Sequence, residues 1–538
     1  MGVANKIVAW LEVKNPEVAR AGNDANKPVP GELCTWGILD YFAVLPWSAF
    51  SIATWSGGAT ILSLGLTVGQ AMAAVAVAYV LKAVFCIAAG QIGVDWRISG
   101  SLTNRLAWGV RGYAFVVGCQ IAMTTVHYGI QSVFGYLSLK VVIGAVIPSF
   151  TTMHNSFSSS LPTNDFICLI IFLAICIVGQ AYPPDAWRTI GKVAAVFTVV
   201  TFVTIVSLCC SEAGGVGPLW KEPYSYVGIS EKPSSSQVIW SAFLTVSIMS
   251  AHGNIMYQPN YTRFAKSRMS PIPAQLVTTL VFELCVTLFG ILAASAAVSV
   301  FPEEKKLLWT PLEILLAYQK RGGATVRAAT FFGGLALTIP QFGINVVWNA
   351  YTTGVGYATL FPRWFTIRRG GYLTTALAIA FNPWLFAGKP NSYARVLNGM
   401  SMLTGSLTGI FLADYFIARK RFVKVDDLLI AGPASTYFYA HGWNWRAGVA
   451  FLLVIWLPFP GWISVIKDNA NLLGGPWQMI YGLCWMLCFL IAGITHCILS
   501  KIWPSKPASA GIATVGENDV ESAPGKGEPS DLASNGSK

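Results

Sequence analysis

MSAHGNIMYQPN, residues 249–260, places polar residues and a glycine in the middle of a segment that is otherwise apolar. A second stretch, SIATWSGGAT at residues 51–60, interrupts an earlier apolar segment in the same way. Such residues are tolerated at membrane depth where unwound backbone lines a cavity. Each stretch alone could instead be a glycine-lined contact between two helices. Because the two occur five segments apart, they predict two broken helices related by an inverted five-plus-five repeat, with a binding site between them.

The composition around these stretches is that of a membrane protein. Of the 538 residues 54% are apolar and only 11% are charged, whereas a soluble protein carries about a quarter charged residues. Runs with almost no charge recur at residues 69–81, 166–182, 193–210 and 478–500. A helix of about 20 such residues crosses a bilayer core of roughly 30 Å. We therefore predict an all-α, multispanning membrane protein.

We predict twelve transmembrane helices, called here segments 1 to 12. They begin near residues 37, 68, 108, 164, 189, 237, 273, 325, 371, 395, 446 and 476. Residues 1–36 are polar and mixed in charge, and we expect a cytoplasmic N-terminal segment there rather than a signal peptide. Residues 37–500 form the helical core, and residues 501–538, rich in Ser, Gly, Pro and charged residues, form a disordered cytoplasmic tail.

Basic residues concentrate in the connections that follow the even-numbered segments. They are Arg97 and Arg105, Arg188 and Lys192, Arg263, Lys266 and Arg268, Arg363, Arg368 and Arg369, and Arg419, Lys420, Arg421 and Lys424. By the positive-inside rule these connections and both termini are cytoplasmic. The net charge of +12 therefore indicates orientation and contact with anionic membrane lipid, not a nucleic-acid partner.

Two polar stripes mark a candidate binding site inside the membrane. Segment 3 carries Gln120, Thr124, His127 and Gln131 at intervals that place them on one helical face. Segment 8, within QFGINVVWNAYTTGVGYATLFPRW (residues 341–364), carries two asparagines four residues apart. A single polar residue could simply bond a neighbouring helix, but two stripes favour a shared polar cavity.

The candidate substrate-binding residues combine amides with aromatic rings, which suits a flat, hydrogen-bonding heterocycle. They are Asn345 and Asn349 in segment 8, His127 and Gln131 in segment 3, Trp55 in segment 1, and Ala251 and His252 in segment 6, with Tyr128 and Trp348 nearby in sequence.

Few acidic residues are available to couple binding to an ion. Glu283 lies within an apolar run, and Asp40 and Asp414 lie near segment ends. An intramembrane carboxylate is a functional candidate by default, and a buried structural pair is an equal alternative for Glu283. Asp414 is expected to pair with the basic cluster that follows it. Glu283, His127 and Asp40 are therefore the candidates for proton coupling.

The eleven cysteines are scattered, mostly within apolar runs, and show no spacing typical of a metal site. No nucleophile–base pair or metal cluster appears in the segments, which argues against an enzyme. We predict no metal and no cofactor.

Several motifs in the second half of the chain resemble one family, the fungal Fur-type branch of the nucleobase–cation symporter-1 family, which includes uracil, allantoin, uridine, thiamine and nicotinamide-riboside permeases. They are FPRWFTIRRGG (residues 361–371), NPW (382–384), GIFLADYFIARKRFVKVDDLL (409–429), YFYAHGWNWRAGVAFLL (437–453) and PFPGW (458–462). The resemblance implies a twelve-helix, LeuT-like fold and cation-coupled import, with the plasma membrane as the expected location.

The resemblance also carries functional positions. The family's substrate-binding asparagine falls on Asn349, and its Trp-x-x-x-Gln motif falls on His127 and Gln131, so the glutamine is kept and the tryptophan is not. Hydroxyls that ligate sodium in a bacterial hydantoin relative fall on Gly343 and Ile344, which lack a side-chain oxygen for a hard cation. A sodium site is therefore not expected, and proton coupling is favoured.

The leading interpretation is thus a proton symporter that imports allantoin, uracil or a related nucleobase-like compound by alternating access. The first alternative is a thiamine, nucleoside or other vitamin permease of the same family. Stretches such as GVDWRISGSLTNRLAWGV (residues 93–110) resemble the thiamine subgroup. Because thiamine is cationic, this alternative requires a carboxylate in the cavity, and Glu283 is the candidate. The second alternative is a nutrient receptor that does not transport.

Overall fold

The computed structural model describes residues 27–224, 234–251, 255–430, 432–466 and 475–504. Helices occur at all twelve predicted positions. Their bounds are Ile38–Ala49 and Ile52–Leu62 for segment 1, Val68–Trp96 for 2, Gly100–Val146 for 3, Thr163–Gly179 for 4, Arg188–Glu212 for 5, Ser235–Ala251 and Gln258–Thr262 for 6, Ile272–Val300 for 7, Ala324–Leu360 for 8, Ile367–Ala380 for 9, Pro390–Ala418 for 10, Trp445–Ile455 for 11, and Gly475–Gly482 with Cys484–Ile502 for 12.

Among the described residues, eight helices are long and apolar enough to cross a membrane by length and composition. They belong to segments 2, 3, 5, 6, 7, 8, 10 and 12. The helices of segments 1, 4 and 11 are apolar but shorter. The count of twelve crossings therefore stays a prediction. Of the two predicted terminal regions, 1–36 and 501–538, residues 1–26 and 505–538 lie outside the described residues.

Segment 1 is interrupted, but not over the stretch that the sequence indicated. Residues Ile52–Leu62 form a regular helix, and the discontinuity lies just before it, at Phe50 and Ser51. Ser51 has an extended backbone, and its hydroxyl accepts the Thr54 N–H at 3.0 Å, so it caps the new helix. The expectation that residues 51–60 are unwound is therefore wrong for segment 1. In segment 6, residues 252–254 lie outside the described residues, and the break there stays a prediction.

The glycines of segment 1 instead allow a neighbouring helix to approach. A Cβ added at Gly58 would overlap the Thr287 backbone, and one added at Gly290 would overlap the Trp55 carbonyl. Segments 1 and 7 are thus held together through small residues, the close-contact alternative for such glycines. Segment 2 packs on segment 6, segment 3 on segment 8, and segment 10 on segment 12. These pairs surround a central space.

Among the described helices, those of segments 3, 7, 8 and 10 depart from the regular α-form, the last with a π-helical turn at Asp414–Ala418. The range of segment 3, Gly100–Val146, contains two helices joined by a kink at Gly109, whose φ of 88° favours glycine. The second helix starts just after this kink, close to the predicted start near 108. Segments 7 and 8 contain π-helical turns at Thr278–Glu283 and Ile344–Ala350. Such turns frequently occur at functional sites. Here they carry Glu283 and Asn349.

Candidate functional site

A cavity lies at the centre of the molecule, between segments 1, 2, 3, 6, 7, 8, 10 and 12. Its polar wall consists of Ser48, Ser51, Lys82, Gln120, Thr124, His127, Gln131, Tyr257, Glu283, Asn349, Thr404 and Thr408; its apolar wall consists of Met123, Ala251, Ile255, Met256, Ile344, Trp348 and Trp485. The whole polar stripe of segment 3 thus lines one cavity, which Asn349 of segment 8 shares.

The first half of the segment 3 stripe is anchored to segment 6. The Tyr257 hydroxyl donates to the backbone carbonyl of Gln120 at 2.9 Å, so the Thr124 hydroxyl, 2.7 Å away, donates to Tyr257. One turn further, Nδ1 of His127 lies 3.0 Å from the Met123 carbonyl oxygen. Because a carbonyl only accepts, Nδ1 carries the proton. These bonds fix the wall of the cavity on the segment 3 side.

Gln131 ends the stripe with an acceptor that lacks a partner among the described residues. The side chain is buried, only 6% exposed. Its Oε1 accepts no hydrogen bond from any residue that the structure describes. A buried polar atom left in this state costs free energy of about 1–3 kcal/mol. Since Gln131 lines the cavity, a ligand N–H is a suitable partner for it.

The two asparagines of segment 8 have different roles. The Nδ2 of Asn345 donates to the Ser132 hydroxyl at 3.0 Å, and its Oδ1 accepts from Nδ2 of Asn349 at 3.0 Å. Asn345 does not line the cavity, which corrects the expectation that both amides face a ligand. Asn349 does line it. Its Nδ2 is held by Asn345, so its Oδ1 is the atom that can accept from a ligand.

Of the three aromatic residues that the sequence indicated, Trp348 lines the cavity, whereas Trp55 and Tyr128 do not. Trp55 is fully buried outside the cavity, with its ring 4.8 Å from that of Phe202. Tyr128 faces segments 4 and 9, where its hydroxyl accepts from Gln180 at 3.1 Å. Two tryptophans line the cavity: Trp348, packed on Tyr261 with a centroid distance of 4.4 Å, and Trp485, which the sequence did not indicate. A flat ligand would therefore contact rings from segments 8 and 12.

Glu283 faces the cavity as one half of an ion pair. Its Oε2 lies 2.6 Å from Nζ of Lys82, and each side chain is only 5% exposed. The ring of Tyr79 lies 5.5 Å from the same ammonium. Both charged groups line the cavity. The pair neutralises the carboxylate that a cationic ligand would otherwise meet.

The other acidic candidates lie away from the cavity. Asp40 lies in the first turn of segment 1, where its Oδ2 accepts the Gly37 N–H at 3.0 Å, a helix-capping arrangement. Asp414 pairs with Nε of Arg419 at 2.6 Å, as the sequence predicts, and also with Nε2 of His496 at 3.0 Å. In segment 6, Ala251 lines the cavity, whereas His252 lies outside the described residues.

Sequence reasoning missed Lys82, Tyr257 and Trp485. Lys82 could have been found, because it ends the uncharged run 69–81 and an ionisable residue within a membrane segment is a functional candidate. Tyr257 and Trp485 gave no such signal, since buried aromatic residues are numerous in this chain. Only the packing of segments 6 and 12 brings them to the cavity wall.

The chain resembles known proteins over nearly its whole length. Residues 28–473 match the family described as permease for cytosine/purines, uracil, thiamine and allantoin. The uridine permease of Saccharomyces cerevisiae is 28% identical over 495 residues, which cover 89% of this chain and 74% of the relative. The allantoin permease of the same yeast is 26% identical over 493 residues, which cover 89% and 75%.

A solved structure shares the fold. Mhp1, a nucleobase-cation-symport-1 family transporter in a closed conformation with bromovinylhydantoin bound, matches with a TM-score of 0.68 at 18% identity, over 90% of this chain and 97% of that one. At this identity the likeness concerns the fold alone. It places the helices of this chain in the LeuT-like arrangement that the sequence predicts.

Proposed function

Because this chain belongs to the family of permeases for cytosine/purines, uracil, thiamine and allantoin, we propose that it imports a neutral, flat nitrogenous heterocycle, such as allantoin, uracil or a related nucleobase-like compound, by proton symport. That it is a multi-pass membrane transporter of small heterocycles, and not an enzyme, follows from its relatives. The finer proposal rests on one observation. Gln131 and Asn349, from facing segments, line one cavity beside Trp348. Oε1 of Gln131 has no hydrogen-bond partner among the described residues, and Nδ2 of Asn349 is bonded to Asn345, which leaves its Oδ1 to accept from a ligand.

The chemistry of the cavity favours a neutral substrate with ring N–H groups. Two amide oxygens can accept from such a ring, while Trp348 and Trp485 offer flat apolar surfaces. Glu283, the carboxylate that a cation such as thiamine would need, is already paired with Lys82. A thiamine, nucleoside or vitamin permease is therefore the alternative, and a receptor that does not transport is the second.

The coupling ion is proposed to be the proton. Ile344 lines the cavity without a side-chain oxygen. At Gly343 even a Cβ would overlap the indole ring of Trp47, so no hydroxyl-bearing side chain fits there without rearrangement. Hard cations such as sodium require oxygen ligands. These two positions therefore support proton coupling over sodium coupling.

The proposed orientation follows from the basic connections of the chain. Both termini would lie in the cytoplasm and the protein would reside in the plasma membrane, with the basic connections next to anionic lipid. A topology assay with tags at each terminus would test the orientation. A tag accessible from outside an intact cell would contradict it.

Uptake of radiolabelled compounds tests the function directly. Cells that express the chain should accumulate labelled allantoin or uracil. Unlabelled allantoin, uracil, uridine, cytosine, thiamine and pyridoxine should inhibit this uptake in the order in which they bind to the cavity. Cells without the chain are the control. Strong competition by thiamine would favour the alternative, and saturable binding without accumulation would favour the receptor.

A further inference from the structure

A second, narrow cavity lies directly beyond the Lys82–Glu283 pair. It is lined by residues of segments 1, 2, 6, 7 and 8, and it shares Ser48, Lys82, Glu283 and Trp348 with the central cavity. The ion pair thus stands between two spaces. One is the proposed substrate cavity. The other is bounded by polar groups of segments 6 and 7.

The narrow cavity is lined by polar groups, some of which lack a partner in the part of the chain that the structure describes. Nε2 of Gln275 donates to Oε1 of Gln258 at 2.8 Å and to the Cys86 carbonyl at 3.2 Å. Oε1 of Gln275 and Oγ1 of Thr278 are buried, and within the described part of the chain neither has a hydrogen-bond partner. Buried acceptors of this kind are the groups that internal water satisfies. A water bonded to these two oxygens would lie beside Glu283 in the same cavity, and such a water is the link that a proton relay requires.

The narrow cavity lies on the side of the ion pair that faces the cytoplasm in the proposed orientation. Gln275 and Thr278 lie in the first two turns of segment 7, and Gln258 lies near the end of segment 6. The end of segment 6 and the start of segment 7 flank the connection that carries Arg263 and Arg268. This connection is cytoplasmic in the proposed orientation. Glu283 lies deeper in segment 7, at the last residue of its π-helical turn.

We propose that Glu283, paired with Lys82, is the proton-binding site of transport and that the narrow cavity lined by Gln275 and Thr278 conducts that proton to the cytoplasm. This inference rests on the proposed function. Before transport, Lys82 is an ammonium and Glu283 a carboxylate, so the pair carries no net charge. One external proton binds an oxygen of Glu283 and forms a carboxylic acid. The pair then carries one positive charge.

Protonation of Glu283 also links the proton to the substrate. The Lys82 ammonium loses its anionic partner, and since it lines the central cavity its N–H groups can donate to a carbonyl of a neutral heterocycle. After the substrate leaves, Glu283 releases its proton into the narrow cavity and the ion pair forms again. Binding of the two ligands is then reciprocal, as thermodynamic linkage requires.

Other titratable groups surround the pair, and the test must separate them from it. They are Tyr79 and Cys86 of segment 2, His127 of segment 3, Tyr257 of segment 6, and Tyr393 of segment 10, which lies near Tyr79. Segments 1 and 8 contribute no titratable side chain to either cavity among the described residues.

The decisive variant is Glu283→Gln, which imitates the protonated acid. The full-length protein in proteoliposomes is assayed with labelled allantoin and labelled uracil as probes, in two modes: exchange without a gradient, and accumulation driven by an inward proton gradient. In the wild type, linkage to one proton changes apparent affinity by up to about tenfold per pH unit. Glu283→Gln should keep exchange at every pH and lose accumulation. Accumulation with the wild-type pH dependence would overturn the proposal.

A matched control removes an ion pair outside both cavities. Lys140 and Asp165 join segments 3 and 4 at 2.7 Å. Lys140→Gln should retain both exchange and pH-dependent accumulation. The double variant Gln275→Leu/Thr278→Val leaves the ion pair intact and should slow accumulation at least several-fold while exchange continues. If Glu283→Gln does not fold, this double variant tests the proposal by itself. Accumulation at the wild-type rate in the double variant would overturn the proposal.

A readout without substrate keeps this inference separate from the proposed function. The infrared carbonyl band of a buried carboxylic acid should grow as the purified protein is titrated from pH 8 to pH 5, and that change should be missing in Glu283→Gln. Identical titration spectra would overturn the proton site. If instead the band behaves as expected but the wild type transports neither probe, the choice of substrate fails and the proton site stands.

Discussion

At the residue scale, the carbonyl oxygen of Asn349 is the group that carries the proposed substrate recognition. Its Nδ2 is bonded to Asn345, which is itself held by Ser132, so the amide is oriented before any substrate arrives. Asn349→Ala should abolish saturable uptake while the protein still reaches the cell surface. The loss of one hydrogen bond that leaves a buried partner unpaired costs about 1–3 kcal/mol, or about tenfold or more in affinity.

The control for Asn349→Ala is a buried amide outside the cavity. Asn164 lies in segment 4 and donates to the Phe150 carbonyl at 3.2 Å. Asn164→Ala should lower stability without changing the substrate concentration at half-maximal uptake. Normal uptake kinetics in Asn349→Ala would remove segment 8 from the binding site.

Variants of Gln131 test whether the segment 3 wall of the cavity binds the substrate. Its Oε1 lacks a partner among the described residues, so a substrate N–H bonded there should strengthen binding of every ring that offers one. Gln131→Leu should weaken competition by all such compounds in the panel. Gln131→Glu should change which ring competes best, because a carboxylate favours additional donors. Unchanged competition profiles for both variants would mean that Gln131 serves only the packing of segment 3.

At the element scale, the contact between segments 1 and 7 depends on glycine. A methyl group at Gly290 would overlap the Trp55 carbonyl. Gly290→Ala should therefore force the two helices apart and lower thermal stability in detergent, since overpacking costs about 1–3 kcal/mol. Gly118 in segment 3 has no heavy atom within 4 Å of an added Cβ. Gly118→Ala should melt at the wild-type temperature, and equal melting of both variants would refute the close contact.

The elements also show which features the sequence could predict. Apolar runs predicted a helix at twelve positions, and the described part of the chain has a helix at each, because the length and polarity of a membrane helix depend on local sequence. Eight of these helices are long and apolar enough to cross a membrane, so the number of crossings stays a prediction. The position at which a helix breaks also depends on how neighbouring segments pack, and the local sequence does not show this. Gly57 and Gly58 looked like helix breakers, yet they are helical and contact Met249 of segment 6 and Thr287 of segment 7, respectively. Ser51 provides the cap at which the helix restarts.

The binding site was predictable only in part for a related reason. Periodicity placed Gln120, Thr124, His127 and Gln131 on one face, and that face lines the cavity. Periodicity could not separate Asn345 from Asn349, since residues four apart share a helical face. Their hydrogen bonds decide the difference. Likewise, the pairing of Lys82 with Glu283 joins residues 201 positions apart and requires the packing of segment 2 against segment 7.

At the scale of the whole molecule, the packing around Gly343 predicts independence from sodium. The Trp47 ring of segment 1 fills the space in which a hydroxyl of segment 8 would have to lie. Uptake should therefore be unchanged when choline replaces external sodium, and it should collapse when a protonophore removes the proton gradient. A requirement for sodium would contradict the proposed coupling.

The pH dependence of uptake distinguishes two possible proton carriers. Uptake should rise as external pH falls from about 7 to about 5, because a protonated carrier is then more abundant outside. His127, whose imidazole can also bind a proton, is the rival to Glu283. The two act from different walls of the same cavity. His127 has its Nδ1 proton held against the Met123 carbonyl, whereas Glu283 adjoins both cavities.

His127→Trp, which restores the family's usual residue, should therefore keep the rise in uptake at low pH and tighten heterocycle binding through the larger ring. Uptake measured at each pH with labelled allantoin or uracil checks both effects, with Glu283→Gln as the comparison that should lose the rise. If His127→Trp instead flattens the pH profile, the proton belongs on segment 3 and the ion pair is structural.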